Sequence, residues 1–129
     1  MEKIVRKIAL IGASANKSKY GNIILKDLKS KGYQVFPIHP ALNEIDGTKV
    51  YNSVEELDDN PDLFVFVVPH AVGFEITKKL YKKGQRRFWY QPGAQSLEIS
   101  DFLKKDKSVK FNTINCIMVN TEKQGDLVF

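Results

Sequence analysis

The sequence predicts an α/β chain: a doubly wound, mainly parallel sheet of about five to six strands with helices on both faces. Three observations carry this. Short apolar runs alternate with segments of helical periodicity, joined by a few loop residues each. One run, LFVFVV at 63–68, is continuously apolar, as a central parallel strand covered on both faces must be. The first run, at 8–11, meets Gly12 and a small polar loop before a periodic segment begins, which reads as strand, loop, helix.

The elements follow in order. A strand at 7–11 leads through the loop to a helix that starts at Tyr20 or Gly21 and ends at Ser30, with Ile24, Leu25 and Leu28 as its buried stripe. Gly32 closes that helix, and 33–38 forms the second strand. Residues 43–47 read as a turn and 49–51 as a short third strand. Ser53 and Glu56 match a capping box opening one or two helical turns; the carboxylates there serve the helix dipole. The strand at 63–68 stops at Pro69 and His70. A helix at 71–83 follows, with Val72, Ile76 and Leu80 as its core stripe and Gly84 at its end. A strand at 86–90 runs into Gln91-Pro92-Gly93-Ala94-Gln95. Ser96 caps a further helix whose Ile99, Phe102 and Leu103 face inward, and 110–114 is the last strand. Residues 121–129 read as a loosely held tail in which Leu127, Val128 and Phe129 are able to dock.

The chain has 129 residues, enough for one domain (1–129) with a core of its own. Its single cysteine, Cys116, excludes an intrachain disulfide and suits the reducing cytoplasm. No apolar run approaches the ~20 residues of a membrane span, and the first residues lack a signal-peptide core. The net charge of +5 favours an anionic partner. The lysines, at 26, 29 and 31, 78, 79, 82 and 83, and 104, 105 and 107, fall at spacings of solvated helix faces. Neither a nucleic-acid motif nor metal-ligand spacing accompanies them.

Right-handed crossovers bring four loops to the carboxyl edge of such a sheet, where ligands bind. These are the loop from Gly12 to Lys19, the Pro37-Ile38-His39-Pro40 segment, Pro69-His70, and the stretch from Gln91 to Ala94. In the first loop, free backbone N–H groups and a helix N-terminus suit a phosphate. Gly12 lets a ligand approach the backbone, Ser14, Asn16 and Ser18 offer short polar groups, and Lys17 and Lys19 offer charge. The dinucleotide fingerprint fails, since Ser14 and Lys17 stand where its later glycines belong. No acidic residue follows the second strand to hold a ribose, which argues against NAD. His39 reads equally as a ligand contact and as a histidine packed in a turn.

The sequences Ile11-Gly12-Ala13-Ser14, Tyr20-Gly21-Asn22, Gly32-Tyr33, Val35-Phe36-Pro37-Ile38-His39-Pro40, Ile45-Asp46-Gly47 and Trp89-Tyr90-Gln91-Pro92-Gly93, in this order, carry a resemblance over residues 5–120. The chain resembles the small, stand-alone CoA-binding proteins, whose fold is similar to the N-terminal CoA-binding domain of the succinyl-CoA synthetase α subunit. The resemblance implies a Rossmann-like domain that holds the nucleotide half of CoA, and with no catalytic set in the residues the first functional reading is a non-catalytic module that binds CoA or an acyl-CoA. The resemblance places Gly12, Ala13 and Ser14, with Lys17 and Lys19 nearby, at the phosphates, and Asn16, Tyr20 and Gly21 join them as candidate binding residues. It sets Pro37, His39 and Pro40 near the adenosine, Val68, Pro69 and His70 along the slot, and Gln91, Pro92 and Gly93 on the pantetheine side. The synthetase's phosphorylated histidine belongs to another domain, so neither His39 nor His70 inherits that role. Some relatives have proline after the position of Cys116, where this chain has Ile117.

A catalytic reading of Cys116 has two histidines to draw on but neither a nucleophile elbow nor a clear third member. A half-buried structural thiol is the plain alternative, and a mixed disulfide with the CoA thiol the sharper one. Two further functions stand beside CoA binding. One is an NADP-binding oxidoreductase or redox-sensing regulator, whose 2′-phosphate would meet Lys17 or Lys19. The other is an interaction domain without a ligand. Monomer and homodimer are both open, as is a protein partner.

Overall fold

The computed structural model describes residues 3–121 and 127–129. Five strands make the main sheet: β1 (Lys7–Ile11), β2 (Gln34–Ile38), β5 (Leu63–Phe66), β6 (Arg87–Tyr90) and β7 (Lys110–Asn112). They lie in the order β2-β1-β5-β6-β7, and every pairing is parallel. The order reverses between β1 and β5, so the chain leaves these neighbours in opposite directions and opens a crevice at their carboxyl ends. The helices are α1 (Tyr20–Ser30), α2 (His70–Lys82) and α3 (Leu97–Lys104). Among the described residues, none is long and apolar enough to cross a membrane.

Alternation along the strands builds a core on each face. Ile8, Leu10 and Val65 pack with Ile24, Leu25 and Leu28 of α1, with Ile117 and with Leu127. Ala9, Ile11, Phe64, Phe66, Phe88 and Tyr90 face the other way, against Leu80 of α2 and Ile99 and Leu103 of α3. Phe66 and Tyr90 stack with ring centroids 4.5 Å apart. The expected doubly wound parallel sheet is therefore the observed one, and the stripe Ile24, Leu25 and Leu28 is buried.

Four local expectations are corrected. The stretch read as a turn and third strand is a hairpin, β3 (Glu44–Ile45) with β4 (Thr48–Lys49), around Asp46 and Gly47 at φ 46° and 80°. Two left-handed central residues are what a two-residue hairpin turn requires. Tyr51 forms only an isolated parallel bridge with Ile38. Ser53 makes no side-chain cap, and Val54–Glu56 is a single 3₁₀ turn in which Glu56 Oε1 instead accepts from the Asn52 N–H at 3.2 Å. The buried row of α2 is Gly73, Thr77 and Leu80, while Val72 stands 49% exposed. Small residues let α2 approach the sheet: a Cβ on Gly73 would sit 3.5 Å from Phe66 and Val68. The last strand ends at Asn112, because the Asn112 side chain turns back to accept the N–H groups of Ile114 and Asn115.

Of the tail, Leu127 is buried and Val128 bridges Ile4, with Lys3 and Phe129 exchanging backbone hydrogen bonds at 2.9 Å. The remainder of that expectation, at 122–126, lies outside the described residues. At the amino edge of the sheet, Asp62 accepts the N–H groups of Arg6 and Lys7 at 2.9 and 3.0 Å and pairs with Lys3 at 2.9 Å. Burial pushes its carboxyl up, but these donors outweigh that and hold it below the usual carboxylate range.

Candidate functional site

The site is built where β1 ends. Gly12 has φ 103°, and its N–H and that of Ala13 both donate to the Ile38 carbonyl at 3.2 Å, tying the loop to the end of β2. A Cβ on Gly12 would lie 2.6 Å from the Val67 carbonyl oxygen. The exit of β5 thus demands a glycine here by itself, and the residue also lines the cleft. A Cβ on Gly21 would lie 2.1 Å from the Gly12 carbonyl oxygen, so α1 starts in direct contact with the loop.

The loop is folded on itself. Ser14 Oγ accepts from the Asn16 N–H at 3.1 Å, and Asn16 Oδ1 accepts from the Ser18 N–H and hydroxyl at 3.0 and 2.7 Å. Asn22, buried in the first turn of α1, donates from Nδ2 to the Ser14 carbonyl at 2.8 Å. Asx and hydroxyl turns of this kind substitute side chains for missing secondary structure.

α1 begins at an N-cap, Lys19, that makes no side-chain cap and has no acid in its first turn. α2 begins in the same way at Pro69. α3 differs: Ser96 Oγ accepts from the Ile99 N–H at 3.2 Å, and Glu98 lies in the first turn. Both helices that start at the crevice therefore leave their N-terminal donors and positive dipole ends unanswered by side chains.

Between them lies a cleft of about 590 Å³, within the range of small-molecule sites. Gly12, Ala13, Ser14, Lys19, Tyr20 and Gly21 line one side, and His39, Pro40, Val68 and Pro69 the other. A second cleft of about 450 Å³ continues along Val68, Pro69, His70, Gln91, Pro92 and Gly93. A third, of about 170 Å³, is walled by Tyr20, Gln91, Pro92 and Cys116 with Val67. Three of the residues expected at the site do not line these clefts. Asn16 is spent on the loop's own turn, Lys17 is exposed, and Pro37 is buried in β2 with its carbonyl accepting from the Tyr51 N–H. Ser18 and Ala94, expected only as members of the edge loops, line the clefts, and so does Val67, which was read as strand. Val67 touches all three, because β5 ends at Phe66 and the next residue already belongs to the crevice.

The lining contains no acidic side chain among the described residues. His39 Nδ1 accepts from the N–H groups of Ala41 and Leu42 at 3.0 and 3.2 Å, so the ring closes its turn, and the residue also lines the cleft. The packed-turn alternative read for this residue is the observed one. Cys116 is half-buried, and its Sγ accepts from Gln91 Nε2 at 3.2 Å.

The sequence matches the family described as CoA binding domain over residues 6–122. The chain belongs to the CoA binding domain family. That match spans every cleft residue named above. An ADP-forming acetate–CoA ligase from Methanocaldococcus jannaschii is 40% identical over 79 residues, 61% of this chain and 11% of that protein. A solved conserved hypothetical protein from Pyrococcus furiosus superposes with a TM-score of 0.85 at 52% identity, covering 90% of this chain and 99% of that one. The dinucleotide-forming acetyl-coenzyme A synthetase 1 of Ca. Korarchaeum cryptofilum, solved with phosphate and ADP, superposes with a TM-score of 0.67 at 26% identity over 82% of this chain and 25% of that one. This CoA binding domain spans only 9% to 18% of the length of four ADP-forming acetate–CoA ligases or subunits that it matches.

Proposed function

We propose that the chain is a non-catalytic module that binds CoA or an acyl-CoA, holding the nucleotide half in the cleft between α1 and α2. One observation carries this reading: two helices direct uncapped, acid-free N-termini at one cleft whose lining also has no carboxylate. An anion with more than one phosphate answers both ends, and Lys19 adds a charge at the α1 side. Family membership supports CoA as that anion. The second cleft, continuous through Val68 and Pro69, gives the pantetheine arm a path toward Gln91 and Pro92. A single domain acting in the cytoplasm completes the reading, supported by one sheet that carries both core layers and by a lone free thiol.

Calorimetric titration of dialysed protein with CoA, and in parallel with NAD(H) and NADP(H), tests it. Saturable CoA binding with silent nicotinamide nucleotides is the expected result. Nicotinamide binding with silent CoA would replace the reading with a redox one.

A further inference from the structure

We infer that the smallest cleft reads the acyl end of the ligand, taking a short thioester with its carbonyl oxygen against the Gln91 amide; this rests on the CoA reading above. The cleft shares Tyr20 with the largest one and Val67 with both others, so it adjoins the path of the ligand. Gln91 is 5% exposed. Its Oε1 accepts from the Ile117 N–H at 2.8 Å, which orients the amide and turns its NH₂ group toward Cys116. One hydrogen goes to the Cys116 sulfur, a weak acceptor. An amide nitrogen carries two hydrogens, and the second has no acceptor among the described residues. A largely buried donor without a partner is costly, so an acceptor delivered to it is gained at full value. A thioester supplies that carbonyl; a free thiol does not.

The backbone beside Cys116 is held in place. Trp89 Nε1 donates to the Asn115 carbonyl at 2.9 Å, and Asn120 Nδ2 donates to the Cys116 carbonyl at 3.0 Å. The cleft therefore selects by size. At about 30 Å³ for a water-sized group, 170 Å³ takes about five or six non-hydrogen atoms. The sulfur, the carbonyl carbon and oxygen, and two or three further carbons fill it, so acyl groups up to butyryl fit and an eight-carbon chain does not.

Calorimetric titration of the full chain with CoA, acetyl-CoA and octanoyl-CoA tests this in the wild type, in Gln91→Glu and in Cys116→Leu. Gln91→Glu keeps an acceptor for the Ile117 N–H and removes the donor. Cys116→Leu keeps Gln91 and its bond with the Ile117 N–H, removes the sulfur acceptor and fills the cleft. The readout is the ratio of acetyl-CoA to CoA affinity within each protein, so any change common to both ligands cancels. The wild type is expected to favour acetyl-CoA by about tenfold over CoA, and over octanoyl-CoA by at least as much, as one recovered buried hydrogen bond allows. The ratio falls to about one in each variant. Equal wild-type affinity for the three ligands, or a ratio unchanged in both variants, overturns the acyl inference alone. No CoA binding by the wild type overturns the reading of the groove, and this inference with it.

Discussion

A single methyl group at position 21 tests how tightly the site is assembled. The Cβ of alanine there would stand 2.1 Å from a backbone carbonyl, which cannot swing aside as a side chain can. Gly21→Ala is expected to cost about 2–3 kcal/mol. Gly12→Ala, with φ at 103° and a carbonyl 2.6 Å away, combines strain with overpacking and is expected to cost about 3 kcal/mol or more. Urea midpoints at unchanged slope would report both, and Gly47→Ala, whose Cβ meets nothing within 4 Å, measures the cost of a positive φ alone. The sequence marks position 12 as a glycine at a strand end. It does not show that the obstacle is the Val67 carbonyl rather than a ligand, because the two neighbours are 55 residues apart and meet only through the β1–β5 pairing. A second residue-scale prediction concerns Asp106. The Ser108 hydroxyl, then the Tyr81 hydroxyl and the Ser108 N–H, hold its carboxyl down at about 2. The folded pKa lies below the ordinary 3.8, so its stabilising effect is complete above about pH 4 and is lost as pH falls toward 2. The stability gap between wild type and Asp106→Asn should be constant near neutrality and close across that window in acid titrations followed by circular dichroism.

At the scale of elements, the missing caps separate stability from function. Lys19 occupies an N-cap with extended backbone, φ −91° and ψ 148°, the conformation in which aspartate caps well. Lys19→Asp should stabilise the protein by about 1 kcal/mol and at the same time weaken CoA binding by at least about tenfold, since the carboxylate takes the donors and removes the ammonium. Lys17→Glu, on the exposed tip outside the cleft, should change affinity by less than about threefold, a difference that salt reduces further. Ser96→Ala at the capped α3 should cost about 1 kcal/mol and leave CoA affinity unchanged. A stabilised Lys19→Asp that binds CoA normally would remove the helix ends from the binding account. Much of this layer was legible beforehand. Ile24, Leu25 and Leu28 repeat at helical spacing, and Ser96 is a good N-cap residue. The face of α2 was not, because Gly73 and Thr77 make the contact with the sheet by being small, and hydropathy rates Val72 above both. The β3–β4 hairpin escaped for a related reason. Two-residue strands carry too little alternation to register, although Asp46-Gly47 is itself a hairpin signal.

For the whole molecule, alternating apolar runs determine a parallel sheet, and the sheet's switch point opens the crevice at its carboxyl edge. What the pattern does not hold is the joining of distant segments: Val67 in the crevice, Ile117 under Gln91, and Leu127 and Val128 closing against the start of the chain. These contacts predict how binding and stability couple. The cleft is formed by segments from both ends of the sheet's switch point and by α1 and α2 on opposite faces, so a ligand bound there holds both layers and has no counterpart in the unfolded chain. CoA at a concentration of 100 Kd should therefore stabilise the fold by about 2.7 kcal/mol, raising the midpoint of thermal unfolding by several degrees, near 10 °C for a chain of about this length. The rise should follow the logarithm of CoA concentration above Kd, and the Kd extracted from it should agree with calorimetry. Deletion of Leu127, Val128 and Phe129 should lower the unligated midpoint, since it removes a buried leucine, the Phe129 ring against Trp89 and the backbone bonds to Lys3 and Val5. The increment from CoA should survive that deletion undiminished, because none of those residues lines the clefts at the carboxyl edge. An increment that shrank with the tail would mean that the amino edge and the crevice fold as one cooperative unit with the ligand.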